Sequence, residues 1–312
     1  MKAIMYHYVR KQWKALPHFR YLHVEAFRKQ LDYFEQTYGF VSQERFLALV
    51  EDSDRPSDGV VLTFDDGVID HYKWVFPELE KRGLWGLFYV ATGTYESGKS
   101  LDVHRVHYLL GRSGGREMLD ALVEVLDPEM LSHDHVEEFH KRTYKRQSND
   151  DATLQFKRIL NYFASAAQRE SILDSLVERF LPETDIVREL YMTPDMLREL
   201  HDAGMILGSH SVSHPVLSKL DEAEQRREIN QSFDCLDGLV GGLRIRTFCY
   251  PYGGFHSFTE TTERLLSEAG CRFSFNVEQR DLTPEDFRTR PQALPRYDCN
   301  QFPHGEAASI PP

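Results

Sequence analysis

The sequence predicts an α/β protein, namely a distorted (β/α) barrel of about seven parallel strands that carries an all-α insertion. Three observations support this prediction. Short apolar, β-branched runs recur along the chain, amphipathic stretches lie between several of them, and one long central region is helical and charged with no convincing strand. This number of candidate strands suits an irregular barrel better than an open sheet.

The predicted elements alternate along the chain. The candidate strands are Ala3–Val9, Gly59–Phe64, Trp85–Ala91, Met205–Ser209, Arg246–Tyr250, Cys271–Val277 and Ala293–Tyr297. The amphipathic stretches predict helices over Val24–Thr37, Tyr72–Arg82, Pro194–Ala203, Glu222–Leu239 and Thr259–Ala269. Gly39, Gly83, Gly204 and Gly270 each follow one of these helices closely, as glycines do where helices end.

The region from residue 95 to residue 190 interrupts this alternation. Its pattern predicts helices over Asp120–Leu126, Asp134–Tyr144, Thr153–Phe163 and Gln168–Phe180, punctuated by Gly114, Gly115 and Pro128. We therefore expect a barrel built from residues 1–94 and 191–300, a helical insertion over residues 95–190, and a loose tail over residues 301–312.

The composition narrows the range of partners and locations. The 312 residues are 41% hydrophobic and carry a net charge of −12, which argues against a nucleic-acid backbone as the main partner. No signal-type segment begins the chain, and no apolar run approaches membrane-spanning length. The four cysteines are widely spaced without a Cys-x-x-Cys pair, as is typical of reduced thiols. We therefore expect a cytoplasmic protein without a transmembrane segment.

Two adjacent carboxylates, Asp65 and Asp66, stand at the end of an apolar run. Residues 63–67 read Thr-Phe-Asp-Asp-Gly and follow three apolar residues that predict a buried strand. Anions in such a position must be neutralised, hydrogen-bonded or bound to a metal. Ligands bind at the carboxyl edge of a parallel sheet, which is where this pair is expected. If the chain turns at Gly67, one aspartate can bind a cation while the other faces the substrate. A capped turn without catalysis is the alternative.

Two histidines follow another candidate strand. Residues 208–215 read Gly-Ser-His-Ser-Val-Ser-His-Pro, and the spacing of His210 and His214 predicts one face of a short helical turn. The preceding strand puts them at the same edge as the aspartates. Two histidines and one carboxylate are a common catalytic metal site that leaves positions open for water. Taken alone, the segment has a purely structural turn as its alternative.

The order of these motifs resembles that of a known family. Residues 63–67, then His210-Ser211-x-x-His214, then Tyr250-Pro251-Tyr252-Gly253, are similar to the motifs of the polysaccharide deacetylases, carbohydrate esterase family four. The resemblance covers Met1–Tyr95 and Glu189–Asp298. It implies a distorted barrel and the metal-dependent removal of an N- or O-acyl group, usually acetyl from an N-acetylated sugar.

The resemblance also implies roles for individual residues. It assigns Asp66, His210 and His214 to a divalent metal, Asp65 to the general base, and Tyr252 to the position whose backbone N–H stabilises the oxyanion. Two histidines and one aspartate suit zinc, with cobalt, nickel, manganese and iron as alternatives.

Two departures from the family pattern bear on the mechanism. Cys249 stands where many members have the arginine that orients the base, and Leu294-Pro295-Arg296 replaces the Leu-x-His that supplies the acid for the leaving amine. His7, which follows Tyr6, is similar to the acid in the Tyr-His pair of a subgroup acting on exopolysaccharide N-acetylglucosamine. That subgroup also has a Pro-Arg pair at the C-terminal position. Arg296 would orient Asp65 or hold a substrate anion, and a structural histidine is the alternative for His7.

The sequence therefore predicts a hydrolase that removes an N-acetyl group from a sugar in bacterial surface-polysaccharide biosynthesis. The expected substrate is an N-acetylated saccharide linked to a nucleotide or a lipid, and the sequence indicates no oligomeric state. One alternative is another metal-dependent amidohydrolase on the same fold, such as a deformylase or a cyclic-amide hydrolase. The other is a non-catalytic saccharide-binding protein, which would explain the two departures but would not need Asp65.

Overall fold

The computed structural model describes residues 1–52, 58–126, 150–160, 164, 166–180 and 182–308. The described chain divides into two compact units. The first contains Met1–Lys11, Tyr21–Gly98 and Leu190–Ala308, and the second contains Gln12–Arg20 and the described part of Lys99–Glu189. The sequence pattern did not indicate that residues 12–20 belong with the helical unit. The predicted helix Asp134–Tyr144 lies outside the described residues.

One parallel sheet in the first unit carries the candidate site. The strands are β1 (Lys2–Tyr6), β2 (Val9–Arg10), β3 (Leu22–His23), β4 (Val60–Phe64), β5 (Leu87–Val90), β6 (Ile206–Ser209), β7 (Thr247–Cys249), β8 (Phe273–Phe275) and β9 (Tyr297–Asp298). Seven strands pair in parallel in the order β8-β7-β6-β5-β4-β1-β9 and curl into a half-barrel, while β2 and β3 form a separate ladder. The predicted distorted (β/α) barrel is confirmed.

The last strand differs from the prediction. The predicted strand Ala293–Tyr297 is wrong over most of its length, because Pro291–Ala293 form a 3₁₀ turn and β9 begins only at Tyr297. Pro291 and Pro295 have no backbone N–H to donate to a sheet. The residues after β9 also differ from the loose tail that was expected. Ala308 and Tyr21 exchange backbone hydrogen bonds of 3.0 and 3.2 Å.

Helices connect most of the strands. They are α1 (Val24–Thr37), α2 (Gln43–Glu51), α3 (Phe76–Arg82), α4 (Gly93–Ser97), α5 (Asp102–Val125), α6 (Asp151–Arg158), α7 (Ala166–Phe180), α8 (Glu183–Leu190), α9 (Pro194–Asp202), α10 (Glu222–Val240), α11 (Glu260–Glu268) and α12 (Pro284–Thr289). The predictions for α1, α9, α10 and α11 are confirmed to within one residue at either end. The predicted helix over Tyr72–Arg82 starts as a π-helix, His71–Val75, before α3 begins.

Alternate residues of the central strands face opposite sides of the sheet. On one side, Ile4, Tyr6, Leu62, Phe64, Phe88 and Leu207 pack with apolar residues of α1, α3, α9 and α10. On the other side, Ala3, Val61, Leu87, Tyr89, Phe273 and Phe275 form a second cluster with residues of α2. Thr63 and Asp65 follow Val61 by two and four residues, so their side chains face the same side of the sheet as Val61.

The second unit is built around α5, which bends at Gly114 (φ 77°, ψ 171°). Gly114 is not helical, so α5 consists of two helical stretches joined at a kink, which agrees with the predicted interruption at Gly114 and Gly115. The predicted helix Asp120–Leu126 lies at the end of the second stretch. Arg105 is buried within the unit and pairs with Glu183 and Asp174 at 2.8 and 3.0 Å. None of the helices in the described ranges is both long and apolar enough to cross a bilayer.

Candidate active site

The predicted site residues converge at the carboxyl edge of the sheet. They are Asp65 and Asp66 after β4, His210 and His214 after β6, Tyr252 after β7, His7 after β1, and Arg296 directly before β9. In a parallel sheet the loops that follow the strands meet at one edge, where ligands bind. Arg296 precedes its strand and joins the group because its side chain reaches Asp65. The fold therefore brings together residues from both ends of the chain.

The chain turns sharply at the aspartate pair. Asp65 still pairs with the sheet, since its N–H donates to the Tyr6 carbonyl at 2.9 Å. Asp66 and Gly67 both have left-handed backbone conformations, with φ of 77° and 66°, so the turn begins one residue before the expected glycine. A Cβ at residue 67 would lie 2.9 Å from the Val90 side chain, which favours glycine there. The turn lets the two carboxylates reach different partners.

The histidine segment is an irregular loop, and the predicted helical turn is wrong. Ser211 and His214 have φ values of 66° and 58°, which a right-handed helix does not contain. The Ser211 hydroxyl accepts a hydrogen bond from the His214 N–H at 3.1 Å, so a local turn replaces the helix. Both imidazoles nevertheless point to Asp66.

Glu228 on α10 anchors this loop. Its carboxylate accepts hydrogen bonds from the backbone N–H groups of Val212 and Ser213, at 2.8 and 2.9 Å, and from the Ser213 hydroxyl at 2.7 Å. The Val212 carbonyl accepts from the Gly93 N–H at 2.9 Å. Hydrogen bonds to an ionised carboxylate are stronger than neutral ones. Sequence reasoning missed Glu228, because a helical pattern does not show which distant loop a glutamate meets.

Asp66, His210 and His214 form a group that fits a divalent cation. The Nε2 atoms of both histidines lie 3.5 Å from Asp66 Oδ1. All three ligand atoms lie within 4.8 Å of one another. Ligand atoms about 2.1 Å from a tetrahedral metal are separated from one another by about 3.4 Å, which is close to the observed spacing. The donor set is one that zinc and related metals prefer.

The hydrogen bond of His210 Nδ1 determines which nitrogen of this ring could bind a metal. Nδ1 donates to the Cys249 carbonyl at 2.7 Å, because a carbonyl can only accept, and the neutral ring therefore presents an unprotonated Nε2 to the group. Burial lowers the pKa of His210, although Asp65 and Asp66 favour its charged form. The neutral imidazole is the form that binds a metal.

Arg296 holds Asp65 on the buried side of the sheet. The guanidinium bonds both carboxylate oxygens at 2.8 Å, and its remaining donors reach Thr63 Oγ1 at 2.9 Å, the Asn276 carbonyl at 3.1 Å and Cys249 Sγ at 2.8 Å. Burial alone would raise the pKa of Asp65, but the charge and hydrogen bonds of Arg296 lower it to about 2. Asp65 is therefore ionised near neutral pH and fixed in orientation.

A second group of metal-type ligands, Asp65, His210 and Cys249, is less suited to a cation. The Arg296 guanidinium already contacts both Asp65 and Cys249, and one positive charge disfavours another beside it. Burial raises the pKa of the Cys249 thiol, whereas metals bind the thiolate. The group around Asp66 is the better metal site.

His7 is half-buried and directly follows β1. Because Tyr6 pairs with Phe64 in the sheet, His7 and Asp65 leave neighbouring strands side by side. After burial and Arg296, which have the largest effects, a smaller lowering of the pKa of Asp65 comes from His7. This effect agrees with the short distance between His7 and Asp65. The backbone carbonyl of His7 accepts a hydrogen bond from His71 Nε2 at 2.9 Å. Burial lowers the pKa of His71 to about 4, so this ring is a neutral donor that holds the backbone of His7.

The turn after β7 brings Tyr252 against His214. The two ring centroids lie 5.0 Å apart, and Tyr252 has a left-handed conformation with φ 63°. A Cβ at Gly253 would lie 2.1 Å from the Val277 side chain, so only glycine fits there. The Gly253 carbonyl accepts from the Val277 N–H at 2.8 Å. These contacts fix the backbone of Tyr252 beside the histidine pair.

Backbone strain is concentrated in these loops. Five non-glycine residues among those that the structure describes have positive φ, and four of them are Asp66, Ser211, His214 and Tyr252. Such conformations cost of order 1–3 kcal/mol each and persist only where the surroundings enforce them. Their concentration at one edge of the sheet indicates a functional site.

Similarity to known proteins includes both sequence and fold. One relative is the peptidoglycan-N-acetylmuramic acid deacetylase PdaC of Bacillus subtilis (strain 168). It is 30% identical to this chain over 127 residues, which are 40% of this chain and 25% of PdaC. The match therefore spans about a quarter of the length of that relative.

Two solved structures have a similar fold. The Streptococcus pyogenes deacetylase PplD in complex with acetate superposes with a TM-score of 0.58 at 17% identity, over 96% of this chain and 91% of that one. IcaB from Ammonifex degensii superposes with a TM-score of 0.54 at 19% identity, over 95% and 90% of the two chains.

The family comparison covers the motifs from the aspartate pair to the turn after β7. The polysaccharide deacetylase model matches residues 52–274, which include Asp65, Asp66, His210, His214 and Tyr252 but neither His7 nor Arg296. Since this match covers most of the sequence, the chain belongs to the polysaccharide deacetylase family.

Proposed function

We propose that this protein is a metal-dependent hydrolase that removes N-acetyl groups from an acetylated saccharide. Membership of the family supports carbohydrate deacetylation. One observation carries the proposal further, because the three ligand atoms of Asp66, His210 and His214 have metal-type spacing directly beside Asp65. A cation site beside an ionised base is suited to amide hydrolysis, because the cation would activate water and polarise the acyl oxygen while the base accepts the proton.

The proposed metal ligands are Asp66, His210 and His214. Zinc fits this donor set best, with cobalt, nickel, manganese and iron as alternatives. When bound, a divalent metal lowers the pKa of water to roughly 7 and polarises an acyl oxygen. The hydrogen bond from His210 to the Cys249 carbonyl orients one ligand before any metal arrives.

Asp65 and His7 transfer protons in this proposal, while Arg296 and Tyr252 position and stabilise the reacting groups. The Asp65 carboxylate accepts a proton from the attacking water, and Arg296 keeps that carboxylate in place. The backbone N–H of Tyr252 donates to the carbonyl oxygen as it becomes negative. His7 donates a proton to the departing nitrogen, because an amine leaves poorly as its anion. Arg296 thus takes the role of the arginine that Cys249 replaces.

The proposed substrate belongs to bacterial surface-polysaccharide biosynthesis and is linked to a nucleotide or a lipid. The name of the B. subtilis relative, a peptidoglycan-N-acetylmuramic acid deacetylase, supports a cell-surface sugar. The Tyr6-His7 pair supports the exopolysaccharide subgroup. The four free cysteines support a cytoplasmic location, since disulfides form in oxidising compartments. Recovery of the protein only from a periplasmic or secreted fraction would contradict this location.

The zinc-loaded protein is expected to release acetate from N-acetylated sugars, and Asp65→Asn should slow this release by about 10²–10⁴-fold, because an amide cannot accept the proton. Metal analysis of the same sample should show wild-type metal content. The matched variant His214→Ala should lose both metal and acetate release.

Each other outcome of this assay has a defined meaning. A nearly normal rate for Asp65→Asn would show that the base is another residue. Release of formate or ammonia in place of acetate would favour a different amidohydrolase. Sugar binding without hydrolysis at full metal occupancy would favour a saccharide-binding protein.

His7→Ala should lower hydrolysis of an N-acetylated sugar by about 10²–10⁴-fold, because the amine loses its proton donor. Hydrolysis of a phenyl acetate should change much less, since a phenolate leaves without protonation. His256→Ala, a change at an exposed histidine, serves as the control for both substrates. Equal losses on the amide and on the ester would exclude His7 as the acid.

Glu228→Ala should weaken zinc binding by about 10–100-fold, because the loop that carries His210 and His214 loses its anchor. Competition with a chromogenic chelator measures this affinity. Glu222→Ala, an exposed glutamate on the same helix, is the matched control. Unchanged zinc affinity in Glu228→Ala would mean that the loop holds its conformation without this carboxylate.

A further inference from the structure

Two exposed aromatic side chains, Tyr252 and Phe255, lie on one segment of the candidate active site. In the described part of the first unit, the large hydrophobic residues that stay exposed are Tyr38, Tyr252 and Phe255, with exposures of 37%, 40% and 47%. Tyr252 and Phe255 both lie on the segment that follows β7 and carries the proposed oxyanion donor. Neighbouring exposed aromatic rings at the rim of a site are typical of ligand contact.

The ring of Phe255 is held by its neighbours. Its centroid lies 5.7 Å from that of Phe258, which stacks on the buried Tyr250 ring at 3.9 Å. The Arg290 guanidinium lies 5.1 Å from the Phe255 centroid, and Glu263 holds Arg290 through hydrogen bonds of 3.0 and 2.6 Å. A ring supported in this way loses little conformational freedom when a ligand packs on it.

Phe255 is also close to the reacting centre. The Tyr252 ring contacts His214, and Phe255 follows Tyr252 by three residues, which can span at most about 10 Å. The Gly254 N–H donates to the Tyr252 carbonyl at 2.9 Å, so the segment is folded back and the true span is shorter. A ligand group on Phe255 would therefore belong to the sugar unit beside the reacting one.

We propose that Phe255 forms a saccharide subsite, in which its exposed ring packs against the C–H face of the sugar next to the one that is deacetylated. This inference rests on the proposed function and extends it to the length of the substrate. The C–H face of a pyranose is apolar, and packing it on an aromatic ring removes both surfaces from water. The protein therefore prefers an oligosaccharide to a monosaccharide.

The test compares kcat/KM for N-acetylglucosamine and for its tetrasaccharide. Phe255→Ala should lower kcat/KM for the tetrasaccharide by about tenfold, mainly through KM, and should affect the monosaccharide much less. Phe255→Trp should retain the preference for the tetrasaccharide. Tyr38→Ala is the matched control, because Tyr38 is an exposed aromatic beside Lys2, at the opposite edge of the sheet.

Direct binding separates this proposal from the proposed function. Calorimetry with the tetrasaccharide on zinc-loaded Asp65→Asn, with and without Phe255→Ala, measures the subsite without turnover. A loss of affinity in the double variant supports the subsite even if no acetate is ever released. Equal losses of kcat/KM on both substrates, or unchanged tetrasaccharide affinity, would overturn it.

Discussion

The buried contact between Arg296 and Asp65 is the interaction on which this site depends. A guanidinium has five N–H donors, and here each of them has an acceptor. The acceptors come from β4 and the residue after it, the end of β7 and the segment after β8. Removing two charges from water costs several kcal/mol per ion, so the pair is stable only with good geometry and additional hydrogen bonds. The five donors of Arg296 provide both, and they connect β4, the end of β7, the segment after β8 and the start of β9 around Asp65.

The same contact explains the cysteine at the position of the family's arginine. An arginine at residue 249 would bring a second positive charge beside Asp65, where Arg296 already bonds both oxygens. The Cys249 sulfur instead accepts a hydrogen bond from Arg296 and donates weakly to Asp65 Oδ2 at 3.5 Å. In this chain the guanidinium therefore reaches Asp65 from the segment directly before β9, and residue 249 contributes a sulfur in place of a charge.

The loops at this edge combine strain with firm anchoring. Asp66 and His214 have conformations that other residues rarely adopt, and each costs free energy that the rest of the fold must offset. Glu228 provides three of the compensating hydrogen bonds, and the Met192 N–H provides another to the Gly67 carbonyl at 3.1 Å. Anchors of this kind hold the carboxylate and imidazole atoms of Asp66, His210 and His214 at metal-type spacing.

Local patterns were sufficient for much of the fold. Hydrophobic periodicity predicts the α1 helix and the strand before Asp65. Such a pattern depends only on residues that are close in sequence, so the sequence alone is enough to find it. Periodicity could not find the π-helical start of the segment at His71, because the pattern of apolar residues is similar in both helix types. It also overestimated the last strand, where prolines interrupt an apolar run.

The motif spacing alone pointed to Asp65, Asp66, His210 and His214 as one site, because carboxylates and imidazoles after parallel strands must meet at one edge. Only the tertiary structure decided which partner each group has. Arg296 and Asp65 are 231 positions apart in the sequence. Glu228 accepts a hydrogen bond from the loop after β6, and the helical pattern around Glu228 does not indicate this partner. Contacts at such separations depend on how the sheet curls and how the loops turn, and those are properties of the packed chain as a whole.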